Sequence, residues 1–226
     1  MTQPLSGPTL PPIRQPARQL VVLLHGYGSD GHDLIALGQH WREVLPHALF
    51  VAPHAPVPCA VNPAGFEWFP LALDENRRLD AEDFAGLEGT AAARPVIMAF
   101  LEALWRETGL GPEATILAGF SQGAMMALDT GLRLDPPPLG ILSFSGALVA
   151  PDTLARDIRA LPPVALFHGT GDDVVPVAAT FAAESFLASR GGDVEMTITP
   201  GSSHTIPPDA LEGAIEFLER IVPDRG

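Results

Sequence analysis

Ala114-Thr-Ile-Leu-Ala-Gly-Phe-Ser-Gln-Gly-Ala-Met-Met126 is the stretch from which the fold of this chain can be predicted. Residues 115–118 form a run that favours a β-strand, and the residues after Gly123 have helical character. Between them lies a Gly-x-Ser-x-Gly motif centred on Ser121. In a strand–turn–helix context this motif is typical of a nucleophile elbow, the sharp turn that places a reactive serine at the carboxyl edge of a parallel sheet.

The elbow makes specific demands on its residues. A Cβ atom on Gly119 or Gly123 would collide with the strand or helix that crosses there, so both glycines are expected to be necessary. Ser121 is the predicted nucleophile, and the Gln122 N–H, at a helix N-terminus, is expected to point at a developing oxyanion. The alternative is an ordinary Gly/Ser turn, which the flanking strand and helix patterns argue against.

The composition favours one acidic globular domain. The chain has 226 residues, is 46% hydrophobic and carries a formal net charge of −14. Such a charge repels phosphate groups, so we expect neither a nucleic-acid partner nor stable association with a membrane. All 13 basic residues are arginines, which excludes P-loop, Schiff-base and pyridoxal-phosphate lysines. No cofactor is predicted, and the lone Cys59 cannot form an internal disulfide.

The N-terminal residues carry no pattern of a targeting signal. Residues 1–18 are rich in proline and are predicted to form an extended, loosely held arm, followed by a single domain over residues 19–226. The longest apolar runs have the length of strands and are too short to span a bilayer, so a cytoplasmic location is expected.

Strand and helix patterns alternate along the domain. Strands are predicted over residues 20–24, 49–52, 115–118, 139–144, 163–167 and 194–199. Besides the helix that follows the elbow, helices are predicted over residues 33–44, 87–108, 177–189 and 208–221. This alternation predicts a doubly wound, mostly parallel sheet with helices on both faces.

Residues 53–90 have the composition of a long loop that contains several prolines and the aromatic residues Phe66, Trp68 and Phe69. Long irregular segments in compact domains are often functional. Two interpretations are open: a packed cover over a functional site, or an excursion that buries its aromatic residues on the edge of the sheet.

A serine nucleophile needs a base and an orienting acid, and after a nucleophile elbow these follow in the order Asp or Glu, then His. His168 and His204 are the two histidines after Ser121. His204 lies in a Gly-Ser-Ser loop between the final strand and the last helix, where the base is expected. The acid is Asp172 or Asp173, between which spacing alone does not choose. The chosen carboxylate would accept the imidazole N–H, and the other would cap the next helix.

Two other classes of function fit parts of the sequence. Gly26-x-Gly28-x-x-Gly31 matches the dinucleotide pattern of an oxidoreductase, but the second strand runs into Pro53 and not into an acidic residue that would bind a ribose. The other class is a hydrolase fold that serves as a non-catalytic binding module. No metal site is predicted, because there is no His-Glu-x-x-His motif and the early histidines belong to different elements.

Five motifs in order along the chain carry a resemblance to a known family. They are Leu24-His-Gly-Tyr-Gly-Ser-Asp-Gly31, Gly119-Phe-Ser-Gln-Gly-Ala-Met125, Ser145-Gly-Ala-Leu148, His168-Gly-Thr-Gly-Asp-Asp-Val-Val-Pro176 and Ser203-His-Thr-Ile206. After the N-terminal arm, nearly the whole chain resembles the phospholipase/carboxylesterase family of α/β-hydrolases, which includes the acyl-protein thioesterases. The resemblance implies the α/β-hydrolase fold and a serine esterase. It also implies that Asp172 is the catalytic acid and that the N–H groups of Tyr27 and Gln122 form the oxyanion hole.

The substrate is predicted in outline. Tyr27, Trp68, Phe69 and Leu71 are expected to be apolar walls of the pocket. Small soluble esters with short or medium acyl or aryl groups are expected, because the chain lacks a basic face for lipid surfaces. The alternative is an acyl-protein thioesterase or lysophospholipase that acts on long acyl chains. Members of the family often form dimers, so the resemblance also suggests a homodimer.

Overall fold

A central sheet organises this computed structural model, which describes residues 5–71 and 89–222. Within those residues the strands are β1 Thr9–Leu10, β2 Gln19–Leu24, β3 Ala48–Val51, β4 Val57–Pro58, β5 Phe66–Glu67, β6 Thr115–Phe120, β7 Gly140–Phe144, β8 Val164–Gly169 and β9 Val194–Thr199. The order in the main sheet is β1-β3-β2-β6-β7-β8-β9, and β4 and β5 form a separate antiparallel ribbon. All neighbours in the main sheet are parallel except β1 and β3.

The helices of the described residues follow the predicted alternation. They are α1 Gly31–Leu34, α2 Ala36–Trp41, α3 Gly89–Thr108, α4 Gln122–Gly131, α5 Pro151–Asp157, α6 Ala178–Ala188 and α7 Pro208–Ile221. The single helix predicted over residues 33–44 is wrong: α1 and α2 replace it, and they meet at Ile35. Helix α1 begins early because the Asp30 carboxylate accepts hydrogen bonds from the His32 and Asp33 N–H groups. The predicted start of the long helix at residue 87 lies outside the described residues.

The core has one layer on each face of the sheet. Residues 20–24 of β2 are fully buried, and their side chains alternate between the two layers. Residues of α3, α4, α5 and α6 pack on one face, and residues of α2 and α7 pack on the other. The doubly wound, mostly parallel sheet predicted from the sequence is therefore confirmed.

The described part of the N-terminal arm, residues 5–18, is bonded to the sheet and not loosely held as expected. Its strand β1 pairs with β3, with Thr9 opposite Val51 and Leu10 opposite Phe50. The Arg14 N–H donates a hydrogen bond of 2.8 Å to the Pro46 carbonyl. Backbone hydrogen bonds thus tie residues 5–18 to the sheet, which the proline-rich composition did not indicate.

Two aromatic residues of the predicted long loop, Trp68 and Phe69, lie inside the molecule. Trp68 and Phe69 are each 2% exposed and belong to the same core layer as α3 and α4. Their backbone groups also contact the residue that follows the elbow serine. The loop therefore buries Trp68 and Phe69 and contacts the elbow. Residues 72–88 of the predicted loop lie outside the described part of the chain.

Candidate active site

The elbow has the strained geometry that its motif predicts. Ser121 connects β6 to α4 with φ 53° and ψ −118°, a conformation that costs a non-glycine residue about 1–3 kcal/mol. A Cβ on Gly119 would lie 2.3 Å from the backbone of Gly123. A Cβ on Gly123 would lie 1.8 Å from the Leu24 carbonyl oxygen. The expectation that both glycines are necessary is confirmed, and the strain at Ser121 is imposed by the strand and helix that meet there.

The loops after β8 and β9 bring an acid and a base together. The His204 Nδ1 lies 2.7 Å from the Asp172 Oδ2. The side chain of Asp172 is fully buried, and its Oδ1 accepts hydrogen bonds from the Val174 and Val175 N–H groups at 3.0 and 2.9 Å. Asp173 is exposed. Of the two carboxylates that spacing left open, the structure places Asp172 against the histidine and also uses it to cap the turn before α6.

Asp172 is ionised over the ordinary pH range. Burial by itself raises the pKa of this carboxyl group, but hydrogen bonds from His168 and His204 and the charge of His204 lower it more. The net result is a pKa well below the usual range of an aspartic acid. His204 therefore faces a carboxylate that keeps its negative charge.

His168 is a second histidine that contacts Asp172, which was not predicted from the sequence. It is 2% exposed, and its Nε2 lies 2.9 Å from the Val175 carbonyl oxygen and 3.2 Å from the Asp172 Oδ2. Both of these oxygens are acceptors, so Nε2 carries the proton and Nδ1 accepts from the Thr180 hydroxyl at 2.6 Å. The only signal in the sequence was the spacing of four residues between His168 and Asp172.

Two backbone N–H groups lie at the ends of neighbouring strands. Gln122 is the first residue of α4, and Tyr27 lies in the loop after β2, before Gly28 with φ 75°. Within the described residues, neither the Tyr27 N–H nor the Gln122 N–H donates a hydrogen bond to a protein group. Strands β2 and β6 are adjacent and parallel, so both loops lie at the same edge of the sheet as Ser121. These two groups match the donors of an oxyanion hole.

The hydroxyl group of Tyr27 is used in hydrogen bonds within the fold. Burial and hydrogen bonds to the Cys59 and Glu67 side chains raise the pKa of the Tyr27 phenol well above its usual value. Cys59 and Glu67 are themselves 2% and 4% exposed. The Tyr27 hydroxyl group is therefore held by the loop that contains Cys59 and Glu67, and the Tyr27 N–H remains the candidate donor.

A cavity of about 270 Å³ opens beside the base. Its lining comes from α1, α2, the residue before the serine and the His204 loop, namely Asp33, Leu34, Ala36, Leu37, His40, Phe120, His204, Thr205 and Ile206. The Phe120 and His204 rings are 4.8 Å apart, so Phe120 forms the wall next to the base. Trp68, Phe69 and Leu71, expected as pocket walls, do not line this cavity. Trp68 and Phe69 instead brace the elbow from inside the core.

The described residues offer no structural feature that favours dinucleotide binding or metal binding. Helix α1, which follows the Gly-x-Gly-x-x-Gly pattern, has four residues, so it offers little of the helix dipole that binds a pyrophosphate. No group of three or more His, Cys, Asp or Glu side chains suited to a metal ion occurs within residues 5–71 and 89–222. In the same residues, no helix combines the length and apolarity needed to cross a membrane.

Comparison with known proteins places the chain in a family. The family model described as Phospholipase/Carboxylesterase matches residues 9–222. The esterase YpfH of Escherichia coli is 30% identical over 211 residues, which cover 92% of this chain and 85% of that protein. Acyl-protein thioesterase 1 of Gibberella zeae is 30% identical over 220 residues, which cover 91% of each chain.

A solved structure extends this comparison. The crystal structure of esterase PE8 is 53% identical to this chain with a TM-score of 0.90, and the match covers 97% of this chain and 100% of the other. The chain therefore belongs to the phospholipase/carboxylesterase family and has the α/β-hydrolase fold. Its predicted class, a hydrolase acting on ester bonds, is confirmed.

Proposed function

We propose that this chain is a serine carboxylesterase that hydrolyses small carboxylic esters through an acyl-enzyme, with Ser121, His204 and Asp172 as its catalytic residues. The observation that carries the proposal is the 2.7 Å contact between His204 Nδ1 and the buried Asp172 carboxylate. It fixes the proton of the imidazole on Nδ1 and leaves Nε2 free to act as a base. Ser121 stands at the strained elbow with one donor of the proposed oxyanion hole beside it.

In the first half of the reaction, Ser121 Oγ attacks the carbonyl carbon of the ester and His204 Nε2 takes the hydroxyl proton. The oxyanion that forms accepts hydrogen bonds from the N–H groups of Tyr27 and Gln122. The imidazolium faces the Asp172 carboxylate and then gives its proton to the leaving alcohol. In the second half, a water molecule attacks the acyl-enzyme by the same route, and Ser121 is released with its proton.

The size and position of the cavity support small substrates. The alcohol must come within hydrogen-bonding distance of His204 to receive its proton, so the leaving group belongs on the side of the base. The cavity of about 270 Å³ lies beside His204, and its lining residues include the apolar Leu34, Leu37 and Ile206. A space of this size accommodates a short alkyl or aryl group. The net charge of −14 disfavours work on anionic lipid surfaces.

A second candidate is hydrolysis of long-chain acyl thioesters or lysophospholipids. It is supported by the fungal relatives at 30% identity, which are acyl-protein thioesterases by name. The two candidates share the same catalytic residues and differ in the length of acyl chain that the site accepts.

The test is hydrolysis of p-nitrophenyl esters from acetate to palmitate, with an acyl thioester series in parallel. Ser121→Ala should lower kcat by about 10⁶-fold, as loss of a serine nucleophile does in comparable enzymes. Ser143→Ala is the matched control, because Ser143 is a buried serine that lies opposite Gly119 on the neighbouring strand. This control should retain activity.

The outcomes separate the candidates. An optimum at short or medium acyl chains supports the small-ester function, and an optimum at palmitate or at long-chain thioesters supports the second candidate. A wild-type chain that is inert across both series would overturn the esterase proposal. Activity that survives in Ser121→Ala would mean that another residue is the nucleophile.

A further inference from the structure

Residues 66–69, Phe-Glu-Trp-Phe, lie between the two loops that carry Tyr27 and Gln122, and we call them the bridge segment. On the side of the elbow they contact the Gln122 side chain, which is fully buried. Its Oε1 accepts the Trp68 N–H at 2.9 Å, and its Nε2 donates to the Phe69 carbonyl oxygen at 2.7 Å. The amide of Gln122 therefore pairs with the backbone of two consecutive residues, using one acceptor and one donor.

On the other side, the bridge segment is bonded to the loop that carries Tyr27. The Gly28 N–H donates to the Phe66 carbonyl oxygen at 2.9 Å, and the Phe66 N–H donates to the Ser29 carbonyl oxygen at 2.8 Å. The indole Nε1 of Trp68 donates to the His25 carbonyl oxygen at 2.9 Å. These bonds hold the backbone immediately before and after Tyr27.

His25 makes this attachment rigid. Its Nε2 accepts the Ala55 N–H at 2.9 Å, so Nδ1 carries the proton and donates to the Gly26 carbonyl oxygen at 2.8 Å. Its ring lies 5.3 Å from that of Trp68. Burial lowers the pKa of His25, so the imidazole stays neutral and this pattern of donors persists at neutral pH. All hydrogen-bonding groups of the imidazole are used within the fold.

The two donors of the proposed oxyanion hole belong to different loops, so their separation depends on what connects those loops. The bridge segment connects them through the Trp68 indole on one side and the Gln122 amide on the other. Oxyanion stabilisation is sensitive to donor position, because the donors must lie about 2.7–3.1 Å from the oxygen of the transition state. A loosened connection would weaken binding of the transition state more than binding of the substrate.

We propose that the side chains of Gln122 and Trp68 are positioning residues that set the geometry of the oxyanion hole through the bridge segment. This inference rests on the proposed function and extends it. Gln122 then has two separate tasks: its backbone N–H binds the oxyanion, and its side chain fixes the loop that carries the other donor. Trp68 acts on the reaction without touching the substrate.

The test compares Trp68→Phe with Trp105→Phe. Trp68→Phe keeps an aromatic ring in the core and removes the indole N–H that holds the His25 carbonyl group. Trp105→Phe is the matched control, because the Trp105 indole donates a similar bond of 2.8 Å to Thr115 Oγ1, at the end of β6 opposite to the elbow. Gln122→Met keeps a side chain of similar length and removes both bonds to the bridge segment.

The readouts are kcat, KM and the inhibition constant of an alkyl boronic acid, which forms a tetrahedral adduct with the serine. Trp68→Phe should lower kcat about 10-fold and Gln122→Met about 100-fold, below or near the 10²–10³-fold cost of losing one donor outright. KM should change less than twofold, and the affinity for the boronic acid should fall in parallel with kcat. Trp105→Phe should leave all three values unchanged.

The inference is overturned if a folded Trp68→Phe variant keeps the wild-type kcat and boronic-acid affinity, or if Trp105→Phe loses as much activity. It is also overturned if KM rises while kcat stays constant, since that pattern indicates a substrate wall. Should Gln122→Met fail to fold, Trp68→Phe alone decides. Failure of the proposed function is distinguishable, because the wild-type chain would then show no esterase activity to compare.

Discussion

The two halves of the proposed site are held in place by different forces. On the nucleophile side, steric exclusion and backbone hydrogen bonds fix Ser121, and the atoms nearest to a Cβ built on either elbow glycine are backbone atoms. On the proton-transfer side, hydrogen bonds between ionisable side chains fix His204 on Asp172. The position of Ser121 therefore depends on shape, and the position of His204 depends on charge. Substitutions in the two halves should therefore fail in different ways.

Among the substitutions that compare the two halves, the one with the largest expected effect changes the charge of the second half. Asp172→Asn should lower kcat by about 10⁴-fold, because an amide no longer fixes the tautomer of His204 or stabilises the imidazolium. Asp173→Asn is the control. The Asp173 side chain is exposed, so this substitution should change kcat by less than about twofold. Steady-state kinetics on a p-nitrophenyl ester measure both. If Asp173→Asn lost more activity than Asp172→Asn, Asp173 and not Asp172 would be the catalytic acid.

The next effect tests the shape of the first half. Gly123→Ala places a Cβ 1.8 Å from the Leu24 carbonyl oxygen, which belongs to the central strand β2 and cannot move alone. We expect a loss of about 3 kcal/mol in the free energy of unfolding, the upper part of the usual cost of overpacking. Urea unfolding measures it. In the control Gly111→Ala, the new Cβ meets only the flexible end of the Glu113 side chain, so the cost should stay below about 1 kcal/mol.

If Gly123→Ala were as stable as Gly111→Ala, steric exclusion would not be what shapes the elbow. The distinction between the two halves would then fail on the nucleophile side.

The smallest effect concerns how stability depends on pH. Asp172→Ala leaves the Val174 and Val175 N–H groups without their acceptor, which should cost about 1–3 kcal/mol at pH 7. Because the pKa of Asp172 in the folded state is held well below the unfolded value of about 3.9, its contribution is fully present above that value. It is lost as the pH falls toward the folded pKa.

The measurement is urea unfolding of the wild-type chain and of Asp172→Ala between pH 7 and pH 3. The difference between them should be constant down to about pH 5 and should narrow below about pH 4. Asp173→Ala should show a small difference at every pH, because that side chain is exposed. If the difference in the free energy of unfolding between the wild-type chain and Asp172→Ala grew as the pH fell, the pKa of Asp172 would be raised on folding and not lowered.

Features that depend on neighbouring residues in the chain were predicted correctly from the sequence. The consecutive apolar residues 20–24 predicted a strand buried on both faces, and the Gly-x-Ser-x-Gly motif predicted the steric crowding at Gly119 and Gly123. The elements that were missed or misplaced are short: β1, β4, β5, α5 and the break between α1 and α2. Elements of two to seven residues carry too little periodicity to be recognised.

The remaining features depend on contacts between distant residues. Asp172 and Asp173 are equivalent in spacing, and only the turn in three dimensions directs one carboxylate inward. The pairing of Gln122 with the bridge segment joins positions separated by 54 residues. The sequence around an aromatic residue in a loop does not show whether the side chain lines a pocket or packs in the core. Trp68 was therefore expected at the substrate although it lies in the core.

The N-terminal arm forms one edge of the sheet, because its strand β1 pairs with β3. Without β1, the outer strand β3 would present an open row of N–H and C=O groups to any other chain, which is a common start of aggregation. The strand β1 takes that place with only two residues, between Pro8 and Pro11. Prolines have no N–H to donate, so the ladder cannot be extended far beyond the arm. Residues 8–11 thus act as a stop that keeps the sheet from growing into a neighbouring molecule.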